Sequence, residues 1–117
     1  MIGSVSIVAG ASVAVAPTDT VIFQATTTFS KPSLYLAVRN DDATQTVTAR
    51  VQSAPTSSGP WMDLPNSVLA DVAAFATADD VFDVAGRLWI RGVSTASGAG
   101  GNTTVWAELS IVRALPF

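Results

Sequence analysis

Residues Val47–Leu64 read VTARVQSAPTSSGPWMDL. The first half alternates: Val47, Ala49 and Val51 are apolar, while Thr48, Arg50 and Gln52 are polar. That period of two puts successive side chains on opposite faces of a strand. The stretch then breaks at Ala54-Pro55-Thr56-Ser57-Ser58-Gly59-Pro60, where proline, glycine and hydroxyl residues supply turn chemistry. Pro60 restricts Gly59 towards extended backbone and delivers the chain into Trp-Met-Asp-Leu, so the pattern predicts strand, turn, strand. Trp61 is expected to fold back over the end of the layer as a largely buried plug, with Gly59 and Pro60 as its structural supports. A plug of that kind, truncated to alanine, costs on the order of 3 kcal/mol.

The same alternation recurs outward in both directions. In LYLAVR, Leu34, Leu36 and Val38 oppose Tyr35, Ala37 and Arg39; in TVWAELSIV, Val105, Ala107, Leu109 and Ile111 oppose Trp106, Glu108, Ser110 and Val112. Turn signals divide these runs at 16–19, 40–44, 54–60, 84–86 and 97–102. Short half-polar strands with such punctuation predict an all-β chain, an antiparallel β-sandwich or jelly-roll-like fold. Leu34, Leu36, Val38, Val47, Val51, Leu88, Ile90, Leu109 and Ile111 are expected to point inward, because a one-residue slip would expose the whole apolar set. One segment departs from the period. Residues 66–76 carry Val68, Leu69, Val72 and Phe75 at helical spacing after Asn66, an N-cap residue type, and read either as one short helix or as a loop ending in a strand. With no linker between the runs, residues 1–117 form a single domain with short N- and C-terminal arms.

Composition narrows the function classes. Hydrophobic residues are 49% of the 117, but charged residues only 13%, about half the usual share, and the net charge is −3. Lys31 and five scattered arginines are too few for counterion-displacing contact with nucleic acid, so none is expected. No run approaches the 18 apolar residues of a spanning helix, and no membrane partner is expected. The N-terminal MIGSVSIVAGASVAVAPT resembles a signal peptide only superficially: its first positive charge is Lys31 and its apolar residues alternate with Ser and Gly, the pattern of a strand.

The chain has no histidine and no cysteine, the groups that most often act as general base or activated nucleophile. Asp63, Asp83 and Glu108 are carboxylates of the type that glycosidases pair, without a spacing that pairs them. No enzyme activity and no cofactor are expected. Asp41-Asp42 and the DDVFD run at 79–83 offer oxygen ligands, but not the alternating acids and central glycine of a calcium loop, and are read as turn chemistry. SGAGGN at 97–102 lacks the lysine and glycine order of a phosphate loop. The aromatic residues remain. Trp89 and Trp106 fall on the less apolar sides of their strands, where an indole suits a subunit contact or a sugar platform.

Three pieces, SVSIVAGASVAVAPTDTVIF at 4–23, TVTARVQSAPTSSGPWMDL at 46–64 and GRLWIRGVS at 86–94 with TTVWAELSIV at 103–112, resemble in their order the small β-sandwich domains of tailed-bacteriophage virions. The chain departs from the pattern at Ser58-Gly59-Pro60, where related domains carry Asp-Gly before the tryptophan. A stand-alone domain of this size is most similar to capsid decoration, or cement, proteins. That resemblance implies a viral structural protein made in the host cytoplasm and carried on the capsid exterior, with the phage major capsid protein as partner and a homotrimer as assembly. Other virion parts (tail, adaptor or fibre) and a carbohydrate-binding module share the generic pattern. A surface of Ala, Ser, Thr and Val costs little to desolvate or immobilise, and so favours assembly. The contact residues expected are Ile2 and Val5 at one terminus, Leu115, Pro116 and Phe117 at the other, and Trp89 and Trp106 on the sheet faces.

Overall fold

The computed structural model describes residues 2–27, 33–98 and 101–112, which form eight strands and no helix. In chain order they are β1 (Ile2–Ala14), β2 (Thr20–Thr26), β3 (Ser33–Asn40), β4 (Val47–Ala54), β5 (Met62–Val72), β6 (Thr77–Asp83), β7 (Trp89–Ala96) and β8 (Asn102–Val112). The first sheet has the order β1-β8-β3-β6 and the second β2-β7-β4-β5, with every neighbouring pair antiparallel. Strand β1 thus pairs with β8, β2 with β7, β3 with β6 and β4 with β5. The chain is one long hairpin rolled onto itself, the jelly-roll connection of a two-sheet sandwich.

The inner rows are those the alternation defines. Leu34, Leu36, Val38, Val47, Val51 and Ile90 have no exposed surface, and Leu109 is buried as well. The Ile111 side chain lies outside the described residues. Leu88 is a correction: it is 54% exposed. A turn closed by Arg87 N–H on the Val84 carbonyl, at 3.2 Å, occupies 84–88, and β7 starts only at Trp89. The phase that buries Ile90 therefore does not extend back to Leu88.

The helix expected as one reading of 66–76 is absent, and the cause of its apparent period is visible. Residues Leu64, Ser67, Leu69 and Val72 of β5 are the buried ones. Asn66 and Asp71 adopt left-handed backbone, with φ of 56° and 49°, at two breaks in the β4–β5 register. Each break inserts residues into β5, so the inward spacing becomes three, two, three and imitates a helical stripe. Asn and Asp are the non-glycine residues that tolerate this conformation best. Val68 and Phe75, two of the four apolar residues that made the helical pattern, are exposed. The N-terminal segment is likewise no arm: it pairs along β8 from Ile2 with Val112 to Ala14 with Asn102.

The two ends of the sandwich differ. At one end the connections 15–19, 41–46, 73–76 and 97–101 are tied together by backbone hydrogen bonds, among them Val15 N–H to Gly101 O, Asp41 N–H to Asn102 O, Asn40 N–H to Ala76 O and Ser97 N–H to Thr46 O, at 2.9–3.1 Å. Asn40, fully buried, donates its amide to the carbonyls of Gln45 at 2.6 Å and Val72 at 3.0 Å, and accepts from Asp42 N–H at 3.0 Å. The opposite end gathers the start of β1, the turn 55–61, the turn 84–88 and the end of β8.

Candidate functional site

The outer face of the second sheet carries a polar ladder whose charges satisfy one another. Thr95 Oγ1 donates to Asp19 Oδ1 at 3.3 Å, and Arg50 Nη2 donates to Asp19 Oδ2 at 2.8 Å. Arg50 Nε faces Asp63 Oδ1 at 3.5 Å, an ion pair rather than a hydrogen bond. Gln52 donates through Nε2 to Asp63 Oδ1 and accepts through Oε1 from Arg91 Nε, both at 2.8 Å. The hydrogen bond that Arg50 donates to Asp19, and the charges of Asp19 and Asp63, raise the Arg50 pKa further above its already high value.

Trp61 ends this ladder. The Arg91 guanidinium lies 4.4 Å from the centroid of its ring. The indole is half-buried, and where the sequence suggested a plug over the end of the sandwich, its ring stacks with Arg91. The turn is also not extended at Gly59: its φ is +98° and the Gly59–Pro60 peptide is cis. A Cβ at Gly59 would sit 3.0 Å from Trp61 Cδ1, so glycine is needed for both the backbone and the ring. With only stacking and partial burial to lose, Trp61→Ala is expected to cost about 1–2 kcal/mol rather than the cost of a core cavity. A double-mutant cycle with Arg91→Ala should give a coupling of about 0.5–1 kcal/mol. A coupling of zero would remove the stacking account.

At the open end, Met62 is 68% exposed beside the exposed Leu88. With Ala54, Pro55 and Pro60 they line a cleft of 450 Å³ whose one charged wall is Arg87. Two of the expected contact residues fall at this end: Ile2 opens β1 opposite Val112, and half-buried Trp89 opens β7 opposite Ala54. Val5 sits nearby, in phase with buried Leu109 yet 44% exposed, because β1 is the edge of its sheet. Leu115, Pro116 and Phe117 lie outside the described residues. The signal for Met62 and Leu88 was absent from the alternation, since both belong to strand ends next to turns.

Trp106 is elsewhere, on the outer face of the first sheet. Its indole leans across Gly10, whose φ of +77° marks a bulge between Ala9 and Ala11; a Cβ there would come within 3.3 Å of Trp106 Nε1. The Arg39 guanidinium lies 5.9 Å from the ring centroid and is held by Asp41 Oδ1 at 2.6 Å and Thr104 Oγ1 at 3.2 Å. Beside the ring opens a trough of 360 Å³ with Ala37 as floor and Tyr35, Thr77, Glu108 and Ser6 around it. Tyr35 O–H donates to Asp79 Oδ2 at 3.0 Å. That hydrogen bond, then burial and the nearby Asp79 and Glu108 charges, raises the phenol above its ordinary 10.0.

The acids singled out in sequence are spread over the molecule. Asp63 is on the outer face of the second sheet, Glu108 on that of the first, and Asp83 accepts from Ala85 N–H at 2.9 Å in a turn. Asp42 accepts from the N–H groups of Thr44 at 2.7 Å and Gln45 at 3.1 Å, which hold its pKa below 3.8. Asp41 is lowered too, first by Thr104 Oγ1 donating at 2.7 Å and then by Arg39, against the opposing effect of burial. Among the described residues no three acidic side chains converge as a metal-ligand set.

No protein-family model matches the chain, and no curated protein matches it. Solved structures do share its fold. A chain of Bacillus endospore appendages, described as a novel family of disulfide-linked pili, superposes with a TM-score of 0.58 at 14% identity, over 94% of this chain and 84% of that one. A chain of infectious bursal disease virus, Gx strain, superposes with a TM-score of 0.57 at 10% identity, over 94% of this chain and 31% of the viral one. The present chain therefore corresponds to under a third of the viral chain's length.

Proposed function

We propose that this protein is a structural subunit of a virion, a capsid decoration protein of a tailed bacteriophage that docks through the open end of its sandwich. The observation that carries the reading is the contrast between the ends. At one end four connections are tied to one another by backbone hydrogen bonds, while the other, where Thr27 N–H meets Leu88 O, exposes Met62 and Leu88 around an apolar cleft in which Arg87 is the one charged side chain among the described lining residues. Flexible and aliphatic side chains around prolines desolvate at little cost and make a hot-spot core, with the hydroxyl-rich sides of the sandwich as rim. The sequence continues past β8 as Arg-Ala-Leu-Pro-Phe, residues 113–117, and Phe117 is proposed as a further apolar anchor. Two solved chains of the same fold, one from pili and one from a virus, support a role in assembly. The partner is the phage major capsid protein, and like subunits meeting around one axis close as a trimer on the outer surface of the head.

The test uses Met62→Asp with Leu88→Asp, which alter exposed side chains and leave the melting temperature near that of the parent. Retention on purified phage capsids lacking the protein, measured by sedimentation, should fall at least about tenfold, and deletion of 114–117 should lower it further. Full occupancy by the double variant, with a monomeric mass in solution, would overturn the proposal.

A further inference from the structure

We infer that the trough beside Trp106 is a binding site for a neutral saccharide, a mono- or disaccharide with an apolar C–H face. It lies on the outer face of the first sheet, away from the open end, and does not depend on the assembly role. The inference rests on three features of that face.

The first is a fixed aromatic wall. Gly10 lets the β1 bulge pass under the indole, and Arg39, itself held by Asp41 and Thr104, flanks it. An indole already immobilised loses little freedom on binding, and the part of its face that Arg39 leaves open can meet the axial C–H groups of a pyranose. Here the adjacent positions are Ala9 and Ala37, which leave the trough-facing side clear.

The second is the disposition of polar groups. Hydroxyl-rich ligands need acceptors and donors at the edge of an apolar floor. Glu108 supplies carboxylate acceptors next to the ring, Thr77 and Ser6 supply hydroxyls, and Tyr35, its proton committed to Asp79, presents its oxygen as an acceptor. The ladder on the opposite sheet shows the contrast: there the charged groups are used up on one another, whereas Glu108 faces the trough.

The third is charge. Asp79 and Glu108 flank the trough, and the one cation near it among the described residues, Arg39, is neutralised by Asp41. The face is acidic, which disfavours uronates, sialic acid and phosphorylated sugars by like-charge repulsion and leaves neutral sugars as the matching class. An open trough with few polar contacts suits weak, fast-exchanging binding, which a titration at millimolar sugar reads.

The experiment is a two-dimensional amide and indole NMR titration of the intact protein with glucose, galactose, N-acetylglucosamine and lactose, alongside glucuronate and sialic acid. At least one neutral sugar should shift the Trp106 indole N–H saturably. Trp106→Ala should weaken that sugar at least tenfold, read on the amides around Ala37, and Glu108→Gln should weaken it several-fold while leaving the fold unchanged. Trp61→Ala, on the other sheet, should bind as the parent does. No saturable shift with any neutral sugar, equal binding of the matching uronate, or undiminished binding by Trp106→Ala and Glu108→Gln would each overturn the inference. None of these results bears on capsid retention, which is read at Met62 and Leu88.

Discussion

Asn40→Asp, a change of one atom, is expected to lower the melting temperature at neutral pH by roughly 15 °C, from a cost of about 3–5 kcal/mol. Asn40 is fully buried, and its amide donates to two carbonyls, those of Gln45 and Val72, while its oxygen accepts from Asp42 N–H. It joins the end of β3, the 41–46 connection and the end of β5. A carboxylate there keeps the acceptor and loses both donors, so two carbonyl oxygens face a buried negative charge. The sign with pH follows. The new carboxyl is disfavoured when ionised, so its folded pKa lies above its unfolded one. The penalty is complete above the folded pKa and shrinks as pH falls through it towards the unfolded value. Asp41 and Asp42 in the parent behave oppositely: their folded pKa values lie below 3.8, so their stabilisation is present above that pH and is lost below it. Melting curves of parent and variant compared at each pH should therefore converge on acidification. A constant offset between them, or no offset at neutral pH, would contradict this account of the Asn40 hydrogen bonds.

Gly92→Val should be nearly as damaging, costing on the order of 3 kcal/mol or more through overpacking of a closed core. Gly92 lies in β7 opposite Val51, and the bulge between Val21 and Phe23 in β2 carries the Phe23 ring over it. A Cβ at Gly92 would come within 2.7 Å of Phe23 Cδ1, closer than real side chains approach, and within a tight 3.0 Å of Ile22 Cγ1. Valine's strand preference, within about 1 kcal/mol, is too small to offset such a clash. Gly92→Ala should show the same defect in milder form, and Phe23→Leu with Gly92→Ala should be less unstable than the sum of the two single variants. Denaturant melts of the four proteins decide it. A Gly92→Ala variant more stable than the parent would mean that the ring gives way freely.

How much of this was legible in the sequence varies with the kind of signal. The alternation in β3, β4 and β8 fixed the class, the strands and most of the inner row, because a sheet with one buried face leaves a period-two record in composition. Strand order was not legible: pairing β1 with β8 and β2 with β7 depends on contacts between segments up to the full length of the chain apart. The 66–76 stretch misled for a local reason, since two left-handed residues in a bulged edge strand reproduce helical spacing. Leu88 misled because alternation was carried across a turn that resets the phase. Trp61 was recognisable as a residue with a structural partner, but Arg91 is separated from it by 30 positions and three strand boundaries.

The sites divide in the same way. Trp106 stood out in sequence as an indole on a polar strand face, and that much was decided by its neighbours in β8. That it borders an open trough was decided by Ala9, Gly10 and Ala37, small residues on two other strands that leave space where larger ones would have closed it. Likewise the low charge of the chain raised the expectation of an assembly surface without saying where. Only the roll of the hairpin, which ties four connections together at one end and collects Met62, Leu88 and the end of β8 at the other, gives the proposed surface a position. Composition and periodicity are local properties and determined what the strands are; the placement of a cleft is set by long-range register, which no short stretch of this sequence contains.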